Sequence, residues 1–215
     1  MSTVVTPQDV LDAAKGMLRM GLVAGTAGNV SGRLDEGRIC LTPSSVSYET
    51  MTVDDLVVTD LDGTVLEGAR SPTTEKALHL ACYRSYPEVG GVIHSHAAHA
   101  TMFALVHEPI PAVIEEVVVY LGGDVPICDY RGTGTDDLGE EAARNLKDRS
   151  ACILANHGIV TIGKHPEQAL HNAELTERTA MIVWGARALG AKLVGLPEKV
   201  NTDMAGAYHY LRDNP

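Results

Sequence analysis

The 215-residue sequence has no Cys-x-x-Cys pair, no cluster of Lys and Arg, and no long apolar run. Each absence removes a class of protein. Cys40, Cys82, Cys128 and Cys152 are scattered, each beside apolar residues, so they are expected to be buried, reduced thiols and not metal clips or disulfides. Lys and Arg number 17 against 28 Asp and Glu, a net charge of −11, which argues against nucleic acid as a partner. No apolar run approaches the ~20 residues that span a bilayer, so no membrane association is expected. Residues 1–10 lack a basic segment followed by an apolar one, so no signal peptide is expected and the protein is read as cytoplasmic. There is no internal repeat, low-complexity tract or linker, and the expectation is one domain over residues 1–215.

What is present is an ordinary globular composition: 45% apolar residues and a mean hydropathy of +0.00. Thr6-Pro7-Gln8-Asp9 reads as a helix start, with a stripe of Val10, Leu11, Ala14, Met17 and Leu18 and an end near Gly21. A short strand is expected around Val30 and another over 38–41. Residues 56–59 and 64–66 flank the turn Asp60-Leu61-Asp62-Gly63 as a hairpin. Thr73 or Thr74 is expected to cap a helix running to about Tyr86. Strands are predicted over 91–96, 125–130, 151–155 and 159–162, and helices over 98–106, 136–147 and 166–190. Strands and helices alternate, which makes an α/β protein, and the hairpins argue against a purely parallel sheet.

His94 and His96 are two apart on a predicted strand, so both imidazoles point to one face. Two such nitrogens reach one ion at ~2.0–2.1 Å. His157 lies in a turn between two apolar strands and is the best candidate for a third ligand. Three neutral imidazoles with an open position suit a catalytic zinc, although manganese, iron or cobalt fits the same donors. His99 reads as a lining or surface residue. Two roles are open to Glu75: an acid complementing a helix N-terminus, or a base beside the metal.

Five segments together resemble the class II aldolase/adducin family, in that family's order and spacing over roughly residues 8–190. They are Gly25-Thr26-Ala27-Gly28-Asn29-Val30-Ser31, Thr42-Pro43-Ser44-Ser45, Thr73-Thr74-Glu75 with Leu78-His79, His94-Ser95-His96-Ala97-Ala98-His99-Ala100-Thr101, and Asn156-His157-Gly158. Within the family the fuculose-phosphate aldolases are the nearest likeness. The resemblance implies a three-layer α/β/α sandwich around a largely antiparallel central sheet, and a homotetramer with active sites at subunit interfaces. It implies one Zn2+ per subunit on His94, His96 and His157, with Glu75 able to ligate when no substrate is bound. A phosphate site would be carried by Gly28, Asn29, Ser44, Ser45, Thr73 and Thr74, small or hydroxyl residues of the kind that welcomes an anion at a helix start. The implied reaction is reversible aldol cleavage of a ketose 1-phosphate, similar to L-fuculose 1-phosphate, to dihydroxyacetone phosphate and an aldehyde.

The chain also departs from that pattern. After Ile110-Pro111-Ala112 the fuculose-phosphate aldolases carry a tyrosine, whereas this chain has Glu115-Glu116, with Tyr120 farther on. Rhamnulose-phosphate aldolases and methylthioribulose-phosphate dehydratases use a glutamate near this region, so Glu115 or Glu116 is either catalytic or an acid that begins a helix. Tyr208 and Tyr210 match the family's mobile catalytic tail, here about residues 196–215. Other enzymes of the superfamily stay open: a dehydratase, a decarboxylase or a pentulose-phosphate 4-epimerase. The epimerases carry an aspartate where this chain has Glu75. A non-catalytic adducin-like interaction module should have lost metal ligands that this chain keeps.

Overall fold

The computed structural model describes residues 4–35 and 37–214. The chain opens with helix α1 (Pro7–Arg19). The Thr6 hydroxyl accepts from the Asp9 N–H and the Asp9 carboxylate accepts from the Thr6 N–H, which satisfies two otherwise orphan donors. Its apolar stripe faces inward, as the periodicity predicts, and Gly21 follows in a left-handed turn.

Strands β1 (Asn29–Arg33), β2 (Ile39–Leu41), β3 (Val57–Thr59), β4 (Val65–Glu67), β5 (Gly91–Ser95), β6 (Ile127–Cys128), β7 (Ala151–Leu154) and β8 (Gly158–Gly163) form one sheet. Their order is β4-β3-β2-β1-β5-β8-β7-β6. Every neighbouring pair is antiparallel except β6 and β7. Helices α2 (Lys76–Ser85) and α5 (Asp136–Asn145) cover one face, over Ile39, Leu41, Val92, Val160 and Ile162. Helix α1, with α3 (Ala98–Val106), α4 (Glu115–Leu121) and α6 (Pro166–Ala188), covers the other, over Val30, Ile93, Ile153 and Ile159. This is the expected three-layer α/β/α arrangement, with apolar side chains alternating between two cores. All four cysteines are buried free thiols. Among the described residues no helix is long and apolar enough to cross a membrane.

Two local expectations are corrected. Helix α2 begins at Lys76, and Glu75, not a threonine, is its N-cap residue. Thr73 instead accepts the Glu75 N–H through its hydroxyl at 3.2 Å and the Lys76 N–H through its carbonyl at 3.2 Å. The strand expected over 125–130 shrinks to β6, because the Asp129 N–H turns away to the Glu141 carboxylate at 3.2 Å. Residues Glu198–Asp213 form helix α7, which packs on α4 with Tyr208 buried.

Candidate metal centre and active site

Three neighbouring strands assemble the centre of the site. His94 lies in the middle of the sheet on β5, paired with Asn29 of β1 on one side and Val160 of β8 on the other. Paired residues project to the same face, so Asn29 stands beside His94. His96 follows on that face just past the strand end and is exposed, whereas His94 is fully buried. His157 is carried by the tight connection between β7 and β8, where Asn156 takes a left-handed conformation (φ 55°). That connection is tied down by the Asn156 N–H to Ala104 O at 3.0 Å and by His107 Nε2 with Asn156 Oδ1 at 2.7 Å. Gly158 closes the turn. A Cβ there would lie 2.4 Å from Ser95 O, 3.0 Å from His96 Cδ2 and 3.4 Å from His94 Cε1. Only glycine lets β8 pass beneath the two imidazoles.

One ligand nitrogen from each of His94, His96 and His157 lies within 4.8 Å of the other two. His94 Nδ1 is 3.0 Å from the Ile159 carbonyl, which can only accept, so Nδ1 carries the proton and Nε2 presents a lone pair. His94 Nε2 is 3.0 Å from His96 Nε2. Burial, with His157 and His96 close by, holds the His94 pKa well below its ordinary value; the His96 ring, although its side chain reaches solvent, is lowered by partial desolvation and by nearby His157. Ring nitrogens of three histidines converge here around the lone pair of His94 Nε2, an arrangement that a cation between them would satisfy. The donor set therefore fits a divalent metal ion of the zinc type.

Glu75 completes the cluster. Its Oε2 accepts from Asn29 Nδ2 at 2.9 Å and lies 3.3 Å from His94 Nε2. Its Oε1 is buried, lies 3.5 Å from His157 Nε2, and has no hydrogen-bond partner among the described residues. Because Glu75 makes no side-chain bond to the start of α2, its carboxylate is free to face the histidines. A buried carboxylate oxygen without a donor is costly unless a cation or a substrate proton satisfies it.

The residues expected to hold a phosphate gather in two places beside this cluster. Gly28 adopts φ +72°, and a Cβ there would lie 2.6 Å from His94 O. The Tyr48 hydroxyl donates to Gly28 O at 2.5 Å and fixes the glycine loop. Ser44 and Ser45 lie alongside Thr73 and Thr74: Ser44 N–H bonds Ser71 O at 3.0 Å, Thr73 N–H bonds Thr42 O at 3.1 Å, and Pro43 bridges Pro72.

Within the chain the other candidates stand elsewhere. Glu115 is exposed at the start of α4, and Glu116 pairs with Arg178 of α6. The Tyr208 hydroxyl meets Ser150 Oγ at 3.1 Å and Arg212 Nη1 at 2.9 Å, at the end of β7 opposite His157. Tyr210 is exposed on α7. His99 binds Glu177, which also accepts the N–H groups of His99 and Ala100 and so anchors the first turn of α3. It supports the segment after His96 and is not part of the metal cluster. The histidine that matters beyond the ligands is His79, buried and bonded to Asn29; the sequence marks it by its place in the Thr73-Thr74-Glu75…Leu78-His79 segment, four residues after Glu75, but assigns it no role.

The chain belongs to the class II aldolase and adducin family: the model of the class II aldolase and adducin N-terminal domain matches residues 8–184. Among curated proteins it is 37% identical, over 86% of this chain and 87% of the relative, to an L-ribulose-5-phosphate 4-epimerase of Salmonella paratyphi C. Among solved structures it is similar to an L-fuculose 1-phosphate aldolase, with a TM-score of 0.88, 32% identity, and coverage of 94% of this chain and 95% of that one. It is also similar to the L-fuculose-1-phosphate aldolase of Thermus thermophilus, with a TM-score of 0.74, 27% identity, and coverage of 87% and 97%.

Proposed function

We propose that the chain is a zinc-dependent aldolase that cleaves a ketose 1-phosphate reversibly to dihydroxyacetone phosphate and an aldehyde. The observation that carries this reading is the unpartnered Glu75 Oε1 facing the three histidines. A zinc ion on His94, His96 and His157 would supply Lewis acidity toward the substrate carbonyl and the negative charge that develops there. Glu75 moves the proton on the carbon that becomes the nucleophile, with Oε2 held by Asn29 and Oε1 open to the substrate. Gly28, Asn29, Ser44, Ser45, Thr73 and Thr74 bind the phosphate, which orients the reacting carbons from a distance. Glu115, Glu116, Tyr208 and Tyr210 are candidates for the second proton, at the aldehyde oxygen. Their distance from Glu75 within one subunit fits a site completed by a neighbour in a homotetramer.

A second reading is a pentulose-phosphate 4-epimerase, favoured by the 37% identity to such an enzyme. Breaking a carbon–carbon bond and closing it on the other face of the aldehyde would share the enediolate stabilisation and the proton transfer at the aldehyde oxygen, but would not need the carbon proton that Glu75 moves in the aldolase. The glutamate at position 75, where epimerases carry aspartate, supports the aldolase. A panel of C4 to C6 ketose 1-phosphates and pentulose 5-phosphates separates the two readings. Release of dihydroxyacetone phosphate from a ketose 1-phosphate supports the first. Inversion at C4 of a pentulose 5-phosphate, with no triose phosphate released, replaces it with the second.

A further inference from the structure

Helix α2 and strand β1 interlock through five buried polar side chains. Glu75 at the N-cap of α2 and His79 and Tyr83 within it recur every four residues, which is ~6 Å per step along a helix. Asn29 and Ser31 recur every two residues on the facing strand, ~6.8 Å per step. The two spacings nearly match, so the side chains alternate like teeth. Glu75 Oε2 meets Asn29 Nδ2 at 2.9 Å, Asn29 Oδ1 meets His79 Nε2 at 2.5 Å, His79 Nδ1 meets Ser31 Oγ at 2.6 Å, and Ser31 Oγ meets Tyr83 OH at 2.9 Å.

The direction of every bond in this chain follows from its end. Asn29 donates its NH2 to Glu75 Oε2 and so turns its oxygen toward His79. His79 must then carry its proton on Nε2 and leave Nδ1 to accept from Ser31, whose oxygen in turn accepts from Tyr83. The other tautomer of His79 would present a lone pair to Asn29. The amide would flip and set its oxygen against the Glu75 carboxylate.

We propose that His79 is a positioning residue for Glu75: held as the Nε2–H tautomer, it fixes the Asn29 amide, which pins Glu75 Oε2 and leaves Oε1 directed at the histidine cluster. This rests on the reading of Glu75 as the base, but the orientation itself is testable without any turnover. His79 does not touch the substrate. It acts through Asn29, in the way groups behind the reacting residues commonly hold them in register.

The test has a spectroscopic arm and a kinetic arm. Nitrogen NMR of the zinc-loaded protein, labelled at histidine, should show His79 neutral and protonated at Nε2. Ser31→Ala, which removes the hydroxyl holding Nδ1, should admit the Nδ1–H form. In solvent exchange of the dihydroxyacetone phosphate proton, His79→Phe should lose about 10–100-fold in kcat with bound zinc unchanged. His79→Gln, whose amide can again donate to Asn29, should recover part of that loss. A merely structural His79 would instead lower the melting temperature and leave kcat of the folded fraction intact. Should His79→Phe not fold, Ser31→Ala and the wild-type spectrum decide alone. An Nδ1–H His79 in the wild type, or a folded His79→Phe with wild-type kcat, overturns the proposal. A wild-type protein that exchanges no proton but shows the Nε2–H form defeats the aldolase reading and leaves this orientation standing.

Discussion

Glu75 Oε1 lies 3.5 Å from His157 Nε2 and accepts no hydrogen bond among the described residues, although it is buried. Glu75 is the N-cap of the helix that begins at Lys76, yet its carboxylate makes no bond to the helix-start N–H groups. An acid placed there for the helix alone would bond those groups, whereas one placed for a cation or a substrate proton would face the histidines as this one does.

The first prediction concerns the metal. Purified protein should carry about one zinc per subunit, and His94→Ala, His96→Ala and His157→Ala should each lose it. Elemental analysis after gel filtration reads this directly. Full occupancy in His157→Ala would remove that residue from the ligand set.

The second concerns Gly158, where a methyl group would meet the Ser95 carbonyl at 2.4 Å and press on the His96 ring at 3.0 Å. Gly158→Ala should cost ~1–3 kcal/mol of stability, as overpacking of a close-packed site does, and should weaken zinc binding as well. Thermal unfolding with and without chelator separates the two effects. An unchanged melting temperature and full zinc would mean that the backbone yields there.

Much of the site was legible in the sequence, for reasons tied to spacing. His94 and His96 share a face because strand side chains alternate, and the pairing of β1 with β5 then brings Asn29 alongside. The Asn-His-Gly turn was visible as a break between two apolar runs, although the collision that demands glycine at 158 depends on how β8 crosses β5. The sequence places Glu75 at a helix start but not at the N-cap itself, because Thr73 and Thr74 carry the usual capping chemistry. The interlock of His79 with Asn29 and Ser31 required knowing that α2 lies over β1, which no local pattern states. Helix α7 was read only as a tail, since its apolar residues are few and its partner α4 is distant in sequence.

The third prediction follows from His79. Burial, reinforced by nearby His94 and opposed by Glu75, lowers its pKa from 6.5 to about 3. Above pH 6.5 the ring is neutral folded and unfolded, and stability does not depend on it. Between pH 6.5 and about 3 the unfolded chain binds a proton that the folded chain refuses, so stability falls with acid. The slope is about 1.4 kcal/mol per pH unit for this one group. Urea unfolding of chelated protein at several pH values should show a steeper decline for wild type than for His79→Gln. Identical slopes would contradict the assignment of a buried neutral His79.

The fourth concerns assembly. Met102, Leu105 and Val106 of α3 and Met181, Ile182 and Trp184 of α6 are exposed apolar side chains on neighbouring helices. With the family likeness, this supports a homotetramer. Light scattering at micromolar concentration should report four subunits, and Trp184→Asp should shift the population to smaller species. A wild-type monomer would argue against a shared active site.

The measurement that reaches the central claim most directly is solvent exchange of the dihydroxyacetone phosphate proton by Glu75→Gln. The substitution keeps the size of the side chain but removes the base, and general base catalysis is typically worth ~10²–10⁴-fold. Exchange reports the first half-reaction and needs no knowledge of the aldehyde. The variant should keep its zinc and its assembly, because three histidines suffice to hold the ion, and should lose exchange by a factor in that range. Exchange at the wild-type rate in zinc-loaded Glu75→Gln would contradict the account and move the base to another residue, with Glu115 and Glu116 the first to test.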